Sequence, residues 1–212
     1  MARIRKIPRN PESGRHYYLV DANFLARKHV PLKFVPAGSD RDRAAACRAW
    51  WAEIDAQLDA GRARVYTPDI CIAEAFKVLA NWYYVQKWFT RPVDYQRVRD
   101  RLSAEIRTDT KALKTTFRPV RFHDIPMNRD IIVSVDRFFE IFMKHRKHCS
   151  VPDLIIAATA KYLREFFDIP KDALHIVTLD RALRDGIAKV PELPAAYDPT
   201  LPAHAATKVF TD

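Results

Sequence analysis

Apolar positions in this chain come in two spacings: short unbroken runs, and stripes that recur every three to four residues. Tyr17-Tyr18-Leu19-Val20, Ala63-Arg64-Val65-Tyr66, Val120 to Phe122 and His175-Ile176-Val177-Thr178-Leu179 have the length and content of strands. The stripes lie between them. Ala46, Trp50, Ile54 and Leu58 repeat every fourth residue, and Gly61 stands where a C′ glycine would end that helix. Thr67 and Pro68 read as the N-cap and first residue of a second long helix, which can run through Phe76, Leu79, Tyr83 and Trp88. Pro92 opens a third, with Val98, Leu102, Ile106 and Leu113 as its stripe. Residues 128–147 put Ile132, Val135, Phe139 and Phe142 or Met143 on one helical face, and 151–167 form a further helix.

Short strands alternating with helices predict an α/β fold: a mainly parallel sheet covered on both faces, in three layers. There is no internal repeat and no long linker. The expected organisation is a basic leader at 1–15, one domain at 16–190 and a proline-rich tail at 191–212, where Lys208-Val209-Phe210 could add an edge strand.

Composition narrows the class. No apolar run approaches the roughly 20 residues a membrane helix needs. Met1-Ala2-Arg3-Ile4-Arg5-Lys6 is basic but runs into Pro8-Arg9-Asn10-Pro11 instead of an apolar segment, unlike a secretory signal. Cys47, Cys71 and Cys149 are odd in number and scattered, which suits a reducing compartment better than a disulfide framework. A cytoplasmic protein without membrane partners is the expectation. The formal net charge of +10 favours a polyanion such as nucleic acid, although a solvated basic surface would look the same.

Against that basic background, four acids sit at punctuation points of the pattern. Asp21 ends the first run, Glu74 lies inside the helix after Pro68, Asp153 opens the 151–167 helix, and Asp180 follows Leu179. Taken singly, each has a structural explanation. Asp21 and Asp180 can cap the helices that follow them, Ser150 and Asp153 have capping-box spacing, and Glu74 can face solvent. Taken together they differ, because an open parallel sheet collects ligands at the carboxyl ends of its strands. Carboxylates gathered there raise one another's pKa unless a cation sits among them, and an all-oxygen set suits Mg²⁺ or Mn²⁺. Asn23 and the Thr178 hydroxyl are secondary members, with helix N-terminal polarity and ordinary strand packing as their plain readings. Asp185 reads as a surface charge that could assist Asp180.

Tyr17-Tyr18-Leu19-Val20-Asp21-Ala22-Asn23, Glu74, Pro152-Asp153-Leu154-Ile155-Ile156-Ala157-Ala158-Thr159-Ala160 and Val177-Thr178-Leu179-Asp180 resemble the PIN domain, in its VapC-type ribonuclease branch, over about residues 16–187. The resemblance implies a Rossmann-like α/β/α sandwich and Mg²⁺- or Mn²⁺-dependent cleavage of RNA. Asp21, Glu74, Asp153 and Asp180 would be the metal site, with Asn23 and Thr178 beside it. It further implies the toxin of a type II toxin–antitoxin pair, hence an antitoxin partner, and a homodimer. The chain is longer than the compact toxins, which leaves open a housekeeping RNA-processing or decay nuclease, or a PIN-like module that only binds RNA or protein.

Other motifs are weaker. The stretch 82–91 mixes aromatics with Lys87 and Arg91, as base stacking would require, but helix packing explains it better. Basic residues from 97 to 118 are better electrostatic candidates for gripping phosphates. His145, His148 and Cys149 resemble half a zinc site with no fourth ligand in view. No Gly-rich phosphate loop or Gly-x-Ser-x-Gly elbow is present.

Overall fold

The structure is a computed structural model that describes residues 14–106 and 122–205. The first strand, β1 (His16–Val20), leads into a short helix α1 (Ala22–Arg27), a 3₁₀ turn at Leu32–Phe34 and the long α2 (Ser39–Asp59). Next come β2 (Ala63–Pro68), α3 (Asp69–Tyr84), α4 (Pro92–Ile106) and β3 (Phe122–Ile125). Then follow α5 (Arg129–Lys144), α6 (Val151–Phe166), β4 (Leu174–Val177), α7 (Arg181–Ile187), β5 (Ala196–Tyr197) and α8 (Pro202–Ala205).

Every pairing in the five-stranded sheet is parallel, in the order β3-β2-β1-β4-β5. Strand β1 is central: consecutive residues Tyr17, Tyr18, Leu19 and Val20 are all buried, so both sheet faces are covered there. The chain winds outward from β1 to β2 and β3, then returns to the other side of β1 for β4 and β5. The direction of winding therefore reverses between β1 and β4, paired as Val20 with Val177, and this opens a crevice beyond their carboxyl ends. Residues 196–197 of the proline-rich segment supply edge strand β5, with Ala196 opposite Ile176.

The α/β architecture and the parallel sheet are as expected; several boundaries are not. Thr67 and Pro68 finish β2 opposite Asp124 and Ile125, so the sheet ladder claims them and α3 starts one residue later without a side-chain cap. Helix α3 stops at Tyr84; Lys87 takes φ 58° and turns the chain back, stacking Trp88 on Trp82 at 4.3 Å between ring centroids. Strand β4 ends at Val177, which leaves Thr178 and Leu179 in the connection to α7. In α5 the buried face is Ile131, Phe138 and Phe142, while Ile132, Val133, Phe139 and Met143 are exposed. Packing on α6 turns the helix by about one residue from the stripe read in the sequence. Leu113, Val120, the basic positions from 107 to 118 and Lys208–Phe210 lie outside the described residues.

Gly61 ends α2 as expected, with φ 72° one residue past the C-cap Ala60. Among the described residues no helix is long and apolar enough to cross a membrane.

Candidate active site

Asp21 sits at the reversal point with both carboxylate oxygens hydrogen-bonded within the fold. One carboxylate oxygen, Oδ1, accepts from the Phe24 amide at 2.6 Å and so caps α1. The other, Oδ2, accepts from the Thr178 hydroxyl at 2.6 Å and the Leu179 amide at 3.1 Å, across the β1–β4 crevice. Burial drives its pKa up to about 6, against the pull of those three donors and of the Arg27 charge. Thr178 Oγ1 in turn accepts from the Asp180 amide at 2.9 Å. The hydroxyl therefore ties the first acid to the backbone of the last, a role beyond that of a packed β-branched residue.

Asp153 and Asp180 act as helix caps and also as neighbours. Asp153 Oδ2 accepts from the Ser150 amide at 2.9 Å and its hydroxyl at 2.6 Å, completing the capping box of α6. Asp180 Oδ1 accepts from the Leu183 amide at 2.8 Å and caps α7. Burial raises the Asp153 pKa, the Ser150 bonds oppose it, and the Asp180 charge adds to it. Glu74 is half-buried and also raised, first by burial and then by the Asp153 charge, with Lys77 opposing. The Cys71 thiol, fully buried on α3, is pushed up by burial and by Asp21, Glu74 and Asp153. Cys149 is pushed up to about 12 by burial, then by Asp153 and Asp180. Asp153 is thus coupled to Asp180 and to Glu74, and Asp21 joins them through the Cys71 thiol that lies near it, Glu74 and Asp153.

The donor chemistry fits a hard divalent ion. All four groups are carboxylates. Asp153 and Asp180 each keep one oxygen outside these hydrogen bonds, and Glu74 makes none. Mutual repulsion is what a cation would relieve. As the side chains stand, no three His, Cys, Asp or Glu residues among those described are grouped tightly enough to hold an ion. That also applies to His145, His148 and Cys149.

Beside the acids lies a cleft of about 580 Å³, lined by Asn23, Leu179 and Asp180 on one side and by Arg27, Arg43, Arg181 and Arg184 around it. Asn23 is exposed, and its carbonyl accepts from Arg27 Nη1 at 3.0 Å. Asp185 also lines the cleft but is held by Lys147 at 3.0 Å. Three of the five aromatics in 82–91 belong to the core: Trp82, Trp88 and Phe89 are buried, Tyr83 is partly buried and Tyr84 is exposed.

No protein-family model matches this chain, and no curated protein does. Solved structures do. A chain in the structure of FitAB bound to an IR36 DNA fragment aligns at a TM-score of 0.51 and 16% identity, covering 87% of this chain and 96% of its own length. A chain of FitAcB from Neisseria gonorrhoeae aligns at 0.50 and 17%, covering 86% and 97%. The fold is PIN-like. At this identity the likeness is one of fold, and the chemistry has to be argued from the residues.

Within the PIN-like fold, the sequence pointed to the acids and missed their surroundings. Arg27 is the one charge in the first helix, Ala22-Asn23-Phe24-Leu25-Ala26-Arg27, and that isolation was its only signal. Cys71, three residues before Glu74 on the same helical face, looked like a packed thiol; it is one, but amid three carboxylates.

Proposed function

We propose that this protein is a metal-dependent ribonuclease acting through Asp21, Glu74, Asp153 and Asp180. The observation that carries the reading is Asp21 itself. A carboxylate this deeply buried, placed by Thr178 and two amides at the strand-order reversal, keeps more charge out of water than the fold has need of. Capping α1 needs only one acceptor.

In this reading Asp21, Asp153, Asp180 and Glu74 hold Mg²⁺ or Mn²⁺. The bound cation supplies a water of lowered pKa and offsets charge on the phosphoryl oxygens. The protein's own contribution is positional. Three donors fix Asp21, so that its carboxylate does not reorganise during reaction. Thr178 couples Asp21 to the start of α7 and so to Asp180. The capping box holds Asp153 by Oδ2 alone. The basic cleft next to Asp180 offers a path for the nucleic-acid strand.

We further place the enzyme in a toxin–antitoxin pair, a direction supported by the likeness to chains of FitAB and FitAcB. Growth arrest on expression, relieved by the protein of a neighbouring gene, is the outcome expected of a toxin and not of a housekeeping nuclease.

Cleavage of a labelled single-stranded RNA tests the chemistry. Wild type with Mg²⁺ or Mn²⁺ should cut, and EDTA should stop it. Asp21→Ala and Asp153→Ala should each lose on the order of 10³-fold in rate while keeping the far-ultraviolet spectrum of the fold. Cutting that survives both substitutions would end this mechanism.

A further inference from the structure

Arg27 carries a buried charge that no described ion pair holds. Its residue is only 7% exposed. One guanidinium nitrogen donates to the Asn23 carbonyl at 3.0 Å, the carbon of the group lies 4.8 Å from the centroid of the Trp82 ring, and buried Nε has no partner. It forms no ion pair with a described residue. Burial lowers its pKa first; Cys47, Asp21 and Asp40 oppose that, and the nearby Arg43 charge adds to it. A buried cation with an orphaned donor is costly unless something anionic completes it.

The other basic residues of the cleft differ. Arg184 is bound to Asp198 at 2.8 Å, and Asp198 is further held by the Thr200 amide and hydroxyl. Arg181 lies 3.7 Å from Asp185. Those acids are held by other bases, while Arg27 and Arg43 face the same 580 Å³ space with no ion pair among the described residues, and Arg27 feels Asp21 and Asp40 only as neighbouring charges.

The geometry points to an anion subsite built on Arg27 and completed by Arg43, which takes a backbone phosphate of a bound RNA strand next to the one held at the acids. We infer the class of ligand from the chemistry: a planar guanidinium fork and a second arginine lining one cleft match phosphate oxygens, and the space admits a nucleotide. That the phosphate belongs to RNA rests on the nuclease reading above.

The test is binding without chemistry. A fluorescent single-stranded RNA is titrated into wild type, Arg27→Met, Arg43→Gln and the control Arg137→Gln, in EDTA at several salt concentrations. Met keeps an aliphatic stem against Trp82; Arg137 pairs with Glu192 away from the cleft. We expect about a tenfold loss of affinity in Arg27→Met and in Arg43→Gln, with the salt slope reduced by about 0.7 in each and no change in the control. Should Arg27→Met fail to fold, Arg43→Gln carries the test. In parallel, the Tm in inorganic phosphate and in chloride at equal ionic strength is compared for wild type and variants. Phosphate stabilisation lost in Arg27→Met alongside lost RNA affinity supports the subsite. Phosphate stabilisation lost while RNA affinity is kept would overturn the backbone assignment, leaving a site for free phosphate. Unchanged affinity and unchanged phosphate response in both variants, or no RNA binding by wild type, would overturn the subsite. Arg27-dependent binding by a protein that never cleaves would keep the subsite and remove the nuclease. Cleavage by Arg27→Met with wild-type KM would do the reverse.

Discussion

Strands β1 and β4 are bridged by buried polar side chains in two places. Near the start of β1, His16 Nδ1 meets His175 Nε2 at 3.0 Å, packed among Tyr18 and Tyr197. Just beyond the carboxyl ends, Thr178 donates to Asp21 at 2.6 Å. Both bridges cross the same pair of strands, and burial perturbs a titrating group in each, to about 4 for His175 and about 6 for Asp21. At neutral pH the consequences are opposite. The imidazole is uncharged and the pair is satisfied; the carboxylate is ionised and stays so at a cost. A shifted pKa alone therefore does not mark a site in this protein. Charge retained against burial, with a cleft beside it, is what sets the proposed site apart.

The contrast has a measurable sign. His175 has a folded pKa below its ordinary 6.5, so it contributes stability that is present above pH 6.5 and lost as pH falls through about 4. The shift corresponds to about 3 kcal/mol. Urea denaturation should show wild type losing that much more than His175→Phe between pH 7.5 and 4. Asp21 runs the other way. Its folded pKa lies above the ordinary 3.8, so its contribution is present below about pH 4 and is lost as pH rises through about 6. In EDTA, wild type should lose about 3 kcal/mol relative to Asp21→Asn between pH 4 and 7. Stability curves parallel to wild type in both variants would erase the distinction between the bridges.

Thr178→Val sharpens it at smaller magnitude. The swap keeps the shape but removes the hydroxyl that donates to Asp21 and accepts from the Asp180 amide. With two buried groups left short of partners, about 2 kcal/mol of stability should go. The Asp21 pKa should rise further, since the hydroxyl is the foremost group holding it down. Thermal melts together with carboxyl titration by NMR separate these effects. A drop in Tm with no movement of Asp21 would reduce Thr178 to packing.

How much of this was legible in advance follows from what sets each feature. The strands and the reversal point were readable because the Tyr17–Val20 and His175–Val177 runs are local patterns. Asp21 and Asp180 follow from them by topology. The caps of Asp21, Asp153 and Asp180 were equally readable, being bonds within three residues. The seating of α5 was not, since its sequence offers neighbouring apolar stripes and only contact with α6 selects between them. The end of α3 was hidden for a similar reason: Trp88 continues the helical spacing, yet stacking on Trp82 holds it outside the helix. Arg27 was least visible, because its lack of a direct ion pair depends on which acids other bases have already taken.

Ser150 offers the finest test of how closely the acid end is set. Its hydroxyl donates to Asp153 Oδ2 at 2.6 Å and accepts from the Asp153 amide at 3.4 Å. Replacing it with alanine removes the cap and should cost about 1 kcal/mol. It should also raise the Asp153 pKa, because the Ser150 hydroxyl is the strongest influence opposing burial there. The Ser150 amide bond at 2.9 Å remains, so the carboxylate keeps one anchor and the rise should be partial. If the Tm falls as expected while Asp153 titrates as in wild type, the hydroxyl is only a helix cap. If both move, the cap that starts α6 also sets the charge of the acid it holds, and a single serine serves fold and site together.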